Sequence, residues 1–342
     1  MARKLEQWLG KKGGRARTAA VCGAILIILI ALALGNLPAI GAAVAEMGAY
    51  LQYRFIQRAL IVGALVALCA ALLGVVLVLK RYSMIGDGLS HVGFGALTVA
   101  VSLGTVTAEA LPGFLPEGFR QGLAGLCAGI SESPLALTLA VVVLCAVLLL
   151  RLSQNSKLRG DAAIALISTS ALALGVIVTS TVNGMNIDVY NYMFGSILAM
   201  SDADVALSVA LSVVVLAAFI ALYPRIFSVT FDESFARATG LNAGVYNLMI
   251  AVLTAVTIVV GMRIMGTMLI SSLIIFPALT SMRVFSRFRT VVISSAIVSV
   301  VCLTAGIMLS CLTSLPAGAG IVAVNLATFV LFSLIGALRG AN

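Results

Sequence analysis

Apolar positions along this chain form long unbroken runs rather than the alternation of a half-buried strand or the one-sided stripe of a soluble helix. Ten runs are long enough to cross a bilayer as helices, at roughly 18–36, 58–79, 84–104, 134–150, 162–181, 203–223, 244–262, 264–282, 291–311 and 320–338. A spanning helix needs about 20 mostly apolar residues. The runs are rich in Gly, Ala and Ser and are joined by short polar connections. This pattern predicts an all-α polytopic membrane protein of about ten closely packed transmembrane helices. Two polar stretches interrupt the rhythm. Residues 37–57 suit an interfacial helix or a plain linker, and 105–133, with Pro112, Pro116 and three glutamates, reads as an external loop.

Composition narrows the class. Of 342 residues 62% are apolar and only 10% charged, which leaves no material for a soluble catalytic head. The net charge of +9 does not signal nucleic acid: with the N-terminus inside, 17 of the 21 basic residues fall in cytoplasmic segments. They include six in the first 17 positions, Lys80 and Arg81, Arg225 and Arg237, and the group Arg283, Arg287 and Arg289. Only Arg54, Arg58, Arg120 and Arg263 fall outside, so both termini are expected in the cytoplasm. The six cysteines form no CxxC pair and indicate neither disulfides nor a thiolate metal site. The N-terminal run exceeds the apolar core of about 7–15 residues of a signal peptide, so an uncleaved span is expected despite the Ala43-Val44-Ala45 sequence.

Candidate chemistry is concentrated in the third run. Asp87 and the chain's single histidine, His91, stand four residues apart and therefore on one helix face. Ionisable groups inside a membrane span are costly unless something polar meets them, which makes the pair a candidate ion pathway. A carboxylate with an imidazole suits Mn²⁺, Fe²⁺ or Zn²⁺ better than Ca²⁺ or Mg²⁺. Ser83, Ser90, a facing span, a symmetry mate or water would complete the ligand set. The bland alternative is that Asp87 caps the helix and His91 makes a structural hydrogen bond.

A second feature lies at 224–243, the longest predicted cytoplasmic connection. Thr230 with Glu233 three residues later reads as a capping box, Asp232 and Glu233 as first-turn acids and Gly240 as a stop. The expected product is a helix of about ten residues outside the membrane, with Phe231, Phe235, Ala236 and Leu241 forming an apolar side that another protein or the headgroups would cover.

These residues resemble the membrane permeases of ABC-type manganese, zinc and iron importers over roughly residues 50–338. The resemblance rests on the run Ser83 to His91, SMIGDGLSH, behind Lys80 and Arg81. Further matches are GDAAIALISTSALALG at 160–175, NYMFGSILAM at 191–200, FDESFARATGL at 231–241 and GTMLISSLIIFPALTS at 266–281. It implies a nine-helix type II importer core, residues 58–342, preceded by an extra span and interfacial segment in 1–57. It further implies a permease dimer of like or sister chains in the bacterial plasma membrane, driven by separate ATP-binding cassette subunits and fed by an extracytoplasmic metal-binding protein. Asp87 and His91, with Ser83 more weakly, would line the metal path. Asp232, Glu233, Ala236, Arg237 and Gly240 would form the coupling helix at about 230–240. Gly88 departs from the alanine usual in the family, and the N-terminal span lies outside its core.

No cofactor is expected to be permanently bound, the metal being cargo. No GxxxxGK[ST] occurs, so the energy for pumping would be borrowed and the chain itself is no ATPase. The rival from another class is an ion-coupled secondary transporter using Asp87 and His91 as a relay; a permease for metal chelates is the rival within the class. An intramembrane enzyme is disfavoured by the absence of HExxH, GxSxG and a second histidine.

Overall fold

The computed structural model describes residues 52–103, 134–155, 160–181, 202–313 and 316–339, with Gly195 and a few positions between 116 and 129. The N-terminal run, the Ala43-Val44-Ala45 site, most of the 105–133 loop and the polar stretch 183–191 lie outside the described residues.

The helices in chain order are α1 (Arg54–Leu79), α2 (Ile85–Leu103), α3 (Pro134–Asn155), α4 (Gly160–Thr181), α5 (Asp202–Phe231), the short α6 (Glu233–Ala238), α7 (Ala243–Met265), α8 (Thr267–Met282), α9 (Phe288–Thr313) and α10 (Ala317–Arg339). Among the described residues, seven of them (α1, α3, α4, α5, α7, α9 and α10) are long and apolar enough to cross a membrane. α2 has 19 residues, but Asp87, Ser90, His91 and four glycines dilute its apolar character, and α8 is apolar but only 16 residues long. α1 and α7 form the centre, each with 67% of its apolar window buried, while α5 and α10 lie at the periphery with 22%. Large apolar side chains on the periphery, among them Leu144, Leu166, Ile220 and Ile297, face outward. Such a surface would aggregate in water and is satisfied by lipid tails.

Small residues bring the helices together. A Cβ on Gly74 of α1 would lie 1.9 Å from the Ile274 carbonyl oxygen of α8, and one on Gly95 of α2 would lie 2.5 Å from the Ala171 carbonyl oxygen of α4. Hydroxyls stitch neighbours across these contacts: Ser299 donates to Ala67 O at 3.0 Å and Ser295 to Ala71 O at 3.4 Å, joining α9 to α1. Gly266, at φ 85°, is the single residue separating α7 from α8, a conformation that side chains rarely adopt.

Two expectations change. Residues 54–57 belong to the first turn of α1 rather than to an interfacial segment, since Tyr53 at the N-cap already hands its carbonyl to Ile56 N and Gln57 N. The run predicted to stop at 223, ahead of Pro224, continues as helix to Phe231. Proline forfeits one backbone bond and kinks a helix without having to end it. At 30 residues α5 is about 45 Å long, well beyond the roughly 30 Å hydrocarbon layer. Much of the predicted 224–243 connection is therefore helix.

The two ends of the bundle carry different ion pairs. At one, Arg58 on α1 meets Asp202 at 2.6 Å, and Arg263 on α7 meets Asp204 at 2.9 Å. At the other end lie Lys80, Glu233 and Arg237. Two of the four arginines expected outside are thus matched by aspartates at the start of α5.

Candidate functional site: an ionisable pair in a cleft and a capped helix beyond it

α2 begins after a tight turn. The Lys80 amide caps α1, Arg81 N–H bonds to Val78 O at 3.1 Å, and Tyr82 N–H reaches back to Leu77 O at 2.8 Å. This is a Schellman ending in which Arg81, at φ 62°, occupies the left-handed position that glycine usually takes. Asp87 therefore lies in the first turn of α2, and His91 one turn further.

His91 Nε2 is 3.7 Å from Asp87 Oδ2, with the side chains 22% and 49% exposed. Both line a cleft of about 680 Å³ whose other walls are α8, through Thr267, Met268, Ser271, Ser272 and Phe276, and the start of α10. The cleft is largely apolar, so the pair supplies its only ionisable groups among the lining residues. Such a pair offers one hard oxygen ligand and one imidazole. No group of three or more His, Cys, Asp or Glu placed to hold a metal occurs among the described residues, which leaves the pair an incomplete ligand set.

The other serines divide. Ser83 sits in the turn ahead of α2, half-buried and outside the cleft lining. Ser90 is fully buried and donates to Asp87 O at 2.7 Å, so its hydroxyl serves the helix backbone rather than the cleft. Ser271 and Ser272 do line the cleft, and their hydroxyls donate to α8 carbonyls, Ser271 to Thr267 O at 3.1 Å and Ser272 to Leu269 O at 2.8 Å. Their oxygens keep lone pairs for a passing cation or its water. A serine pair inside an apolar run was the available signal for them.

α6 is a helix of six residues, shorter than the expected ten. Its N-cap is Asp232, whose Oδ1 accepts from Phe235 N at 2.9 Å; Thr230 is not the cap, because its hydroxyl still bonds to Ile226 O at 2.6 Å within α5. The far end closes with Gly240 N–H on Arg237 O and Leu241 N–H on Ala236 O, glycine here occupying the left-handed position at φ 86°. Ala236 is fully buried against Val229 and Ala243, whereas Phe231 and Phe235 remain 58% and 63% exposed. Phe231 joins Phe227 and Phe288 in an aromatic cluster, with ring centroids 4.9 to 5.6 Å apart.

Glu233 is the electrostatic centre of this end. Arg237 donates to its Oε1 at 2.6 Å and Asn247 to its Oε2 at 3.2 Å, with Lys80 Nζ 3.9 Å away. Partial burial opposes its ionisation, but the Arg237 and Asn247 hydrogen bonds and the two nearby cations outweigh that, holding the carboxyl below its ordinary range. Burial pushes Lys80 down from its ordinary value, and Glu233 partly restores it. Lys80 and Asn247 carried no expected link to the coupling segment.

A polytopic apolar helical bundle with an ionisable pair in a cleft and a short capped helix at one end suits a membrane transporter. The sequence pattern of the ABC 3 transport family matches residues 52–336, and the chain belongs to that family. It is 26% identical to the manganese transport system membrane protein MntC of Halalkalibacterium halodurans, over 82% of this chain and 87% of that protein. It is 26% identical to the high-affinity zinc uptake system membrane protein ZnuB of Haemophilus influenzae, over 82% of this chain and 97% of that protein. In fold it resembles PsaBC from Streptococcus pneumoniae, solved in complex with a Fab, with a TM-score of 0.67 and 24% identity, covering 86% of this chain and 95% of that one. Members of this family are permease subunits, multi-pass in the plasma membrane, and ATP is hydrolysed by separate subunits.

Proposed function

We propose that this chain is the permease of an ATP-driven importer that carries a divalent transition metal ion, Mn²⁺, Zn²⁺ or Fe²⁺, into the bacterial cytoplasm. The observation that carries the reading is the Asp87–His91 pair, 3.7 Å apart in a cleft, within a chain whose relatives are named for manganese and zinc transport. A metal already wrapped in a chelator would need no such pair, whereas a bare ion needs replacement ligands as it sheds water. Two ligands bind weakly enough for release, which transit requires. Zinc outranks manganese at almost any nitrogen and oxygen site, so the pair does not choose the metal; the binding protein and the kinetics of passage do.

The working assembly has two permease chains, alike or sister, on two ATP-binding cassette subunits, with an extracytoplasmic metal-binding protein delivering the cargo. The core, from α1 at Arg54 onward, contributes nine membrane helices and the N-terminal segment a tenth, with both termini cytoplasmic. Asp232, Glu233, Ala236, Arg237 and Gly240 shape the coupling helix: Asp232 and Gly240 close its ends, Ala236 seats it on the bundle, and Glu233 holds Arg237. The exposed Phe231 and Phe235 supply an apolar docking face. ATP-driven closure of the cassettes pushes this helix and switches the cleft between its outward and inward openings.

The test is uptake of radioactive Mn²⁺, Zn²⁺ and Fe²⁺ into vesicles holding the full chain with its ATPase and binding protein. ATP-dependent uptake of at least one ion is expected. Uptake that needs a proton gradient and no ATP would overturn the reading in favour of a secondary carrier.

A further inference from the structure

One polar network joins the capped helix α6 to the turn that launches α2. Lys80, the C-cap of α1, has its side chain only 9% exposed, and a buried ammonium is tolerated only where partners replace its water. Its Nζ donates to Asn247 Oδ1, and Glu233 lies 3.9 Å away. Asn247 is itself buried and spends its other end on Glu233, donating Nδ2 to Oε2 at 3.2 Å. The three side chains close a ring that ties α6, α7 and the end of α1 to one another, and the second Glu233 oxygen is held by Arg237 within α6.

The residues immediately after Lys80 make the ring more than an anchor. Arg81 adopts φ 62°, a backbone state that is unfavourable for a residue with a side chain and persists only where its surroundings hold it. From there the chain turns at once into α2: Ile85 N–H bonds to Tyr82 O, Gly88 N–H bonds to Met84 O, and Asp87 occupies the first turn. A displacement of Glu233 therefore acts on Lys80, and a strained turn is all that separates Lys80 from the helix turn bearing the cleft carboxylate. Contiguous hydrogen-bonded chains of this kind can carry coupling between distant sites when they end on an element with two arrangements.

We propose that Lys80, gripped by Asn247 and Glu233, is the positioning residue that transmits movement of the coupling helix to the α1–α2 turn and thereby sets Asp87 and His91. This rests on the reading of the chain as an ATP-driven permease and assigns the route by which its ATPase reaches the cleft.

The experiment uses the full chain with its ATPase and binding protein in proteoliposomes, measuring ATP hydrolysis and Mn²⁺, Zn²⁺ and Fe²⁺ uptake on the same preparation. Lys80→Met keeps the buried stem and removes the charge; Asn247→Leu keeps the volume and breaks the ring. Each is expected to leave ATP turnover near the wild-type rate while lowering ions moved per ATP by about tenfold, inside the roughly 5–150-fold span typical of coupling between sites. Lys80→Arg, which preserves the charge, is expected to restore the ratio. An unchanged ratio in both Lys80→Met and Asn247→Leu overturns the proposal, as does failure of both to assemble with the ATPase, which would make the ring a structural anchor. Wild-type complexes that show no ATP-dependent uptake of any of the three ions would instead overturn the functional reading.

Discussion

A methyl group added at Gly88 tests how tightly the start of α2 is held. A Cβ there would lie 2.6 Å from Ile164 Cγ2 of α4, while the next nearest atoms are 3.9 Å away, so a single methyl is the obstacle. Carbon atoms in contact sit about 3.5–4.0 Å apart, which requires a shift of about 1 Å. Ile164 is buried and its Cγ2 hangs on a branched carbon with a stiff χ1, so it cannot swing aside. Overpacking of this kind costs about 1–3 kcal/mol, against which alanine offers about 1 kcal/mol of helix propensity over glycine. Gly88→Ala alone is therefore expected to lose as much as about 2 kcal/mol. Ile164→Leu removes the offending branch at nearly constant volume for less than about 1.5 kcal/mol. In the double variant the clash is gone and the propensity gain remains, giving a favourable coupling equal to the overpacking cost, about 1–3 kcal/mol. Thermal unfolding in detergent of the four proteins of this cycle measures it. Effects that add to within about 0.5 kcal/mol would refute the packing argument.

Local features elsewhere in the bundle give three more expectations. Arg81→Gly replaces a strained left-handed residue at a Schellman ending and is expected to stabilise the fold by about 1 kcal/mol; a lower thermal midpoint would contradict this. Thr267 is buried and its hydroxyl finds no partner among the described residues, so Thr267→Val should gain about 1 kcal/mol and leave transport unchanged, whereas a loss of uptake would show that the hydroxyl serves the cleft. Glu233 has its pKa lowered in the folded protein from an ordinary value of 4.5, so the stability it contributes is present above that value and lost as the pH falls through the lower native one. The midpoint difference between wild type and Glu233→Gln should be constant near neutrality and shrink below pH 4.5; a difference that grew on acidification would reverse the sign.

Much of this is legible in the sequence because membrane helices announce themselves by apolar run length, and because an Asp and the sole His four residues apart must share a helix face. Gly240 as the stop and Ala236 on the apolar side emerge from capping and spacing rules that act over a few residues. Four features escape the same rules. The apolar run is bounded at 223, yet α5 continues through Pro224 because one lost backbone bond is a small fraction of a 30-residue helix. Thr230 reads as the cap and Asp232 as a first-turn acid, yet Asp232 caps α6 because the continuing α5 engages the Thr230 hydroxyl. The Lys80–Asn247–Glu233 ring joins residues 167 and 14 positions apart, and no local pattern could have paired a loop lysine with an asparagine inside an apolar run. Ser271 and Ser272 stand in a matched motif, but only the packing of α8 against α2 and α10 turns them to the same cleft as His91.

The most direct test of the central claim compares Asp87→Asn and His91→Gln with wild type in proteoliposomes, following metal uptake and ATP turnover together. Each substitution nearly preserves shape while removing a ligand. Uptake should fall by more than the roughly 10–100-fold that losing even an outer partner costs a metal site, with the ATPase still bound and turning over. Uptake at the wild-type rate in either variant would mean that the metal does not pass through the cleft these residues line.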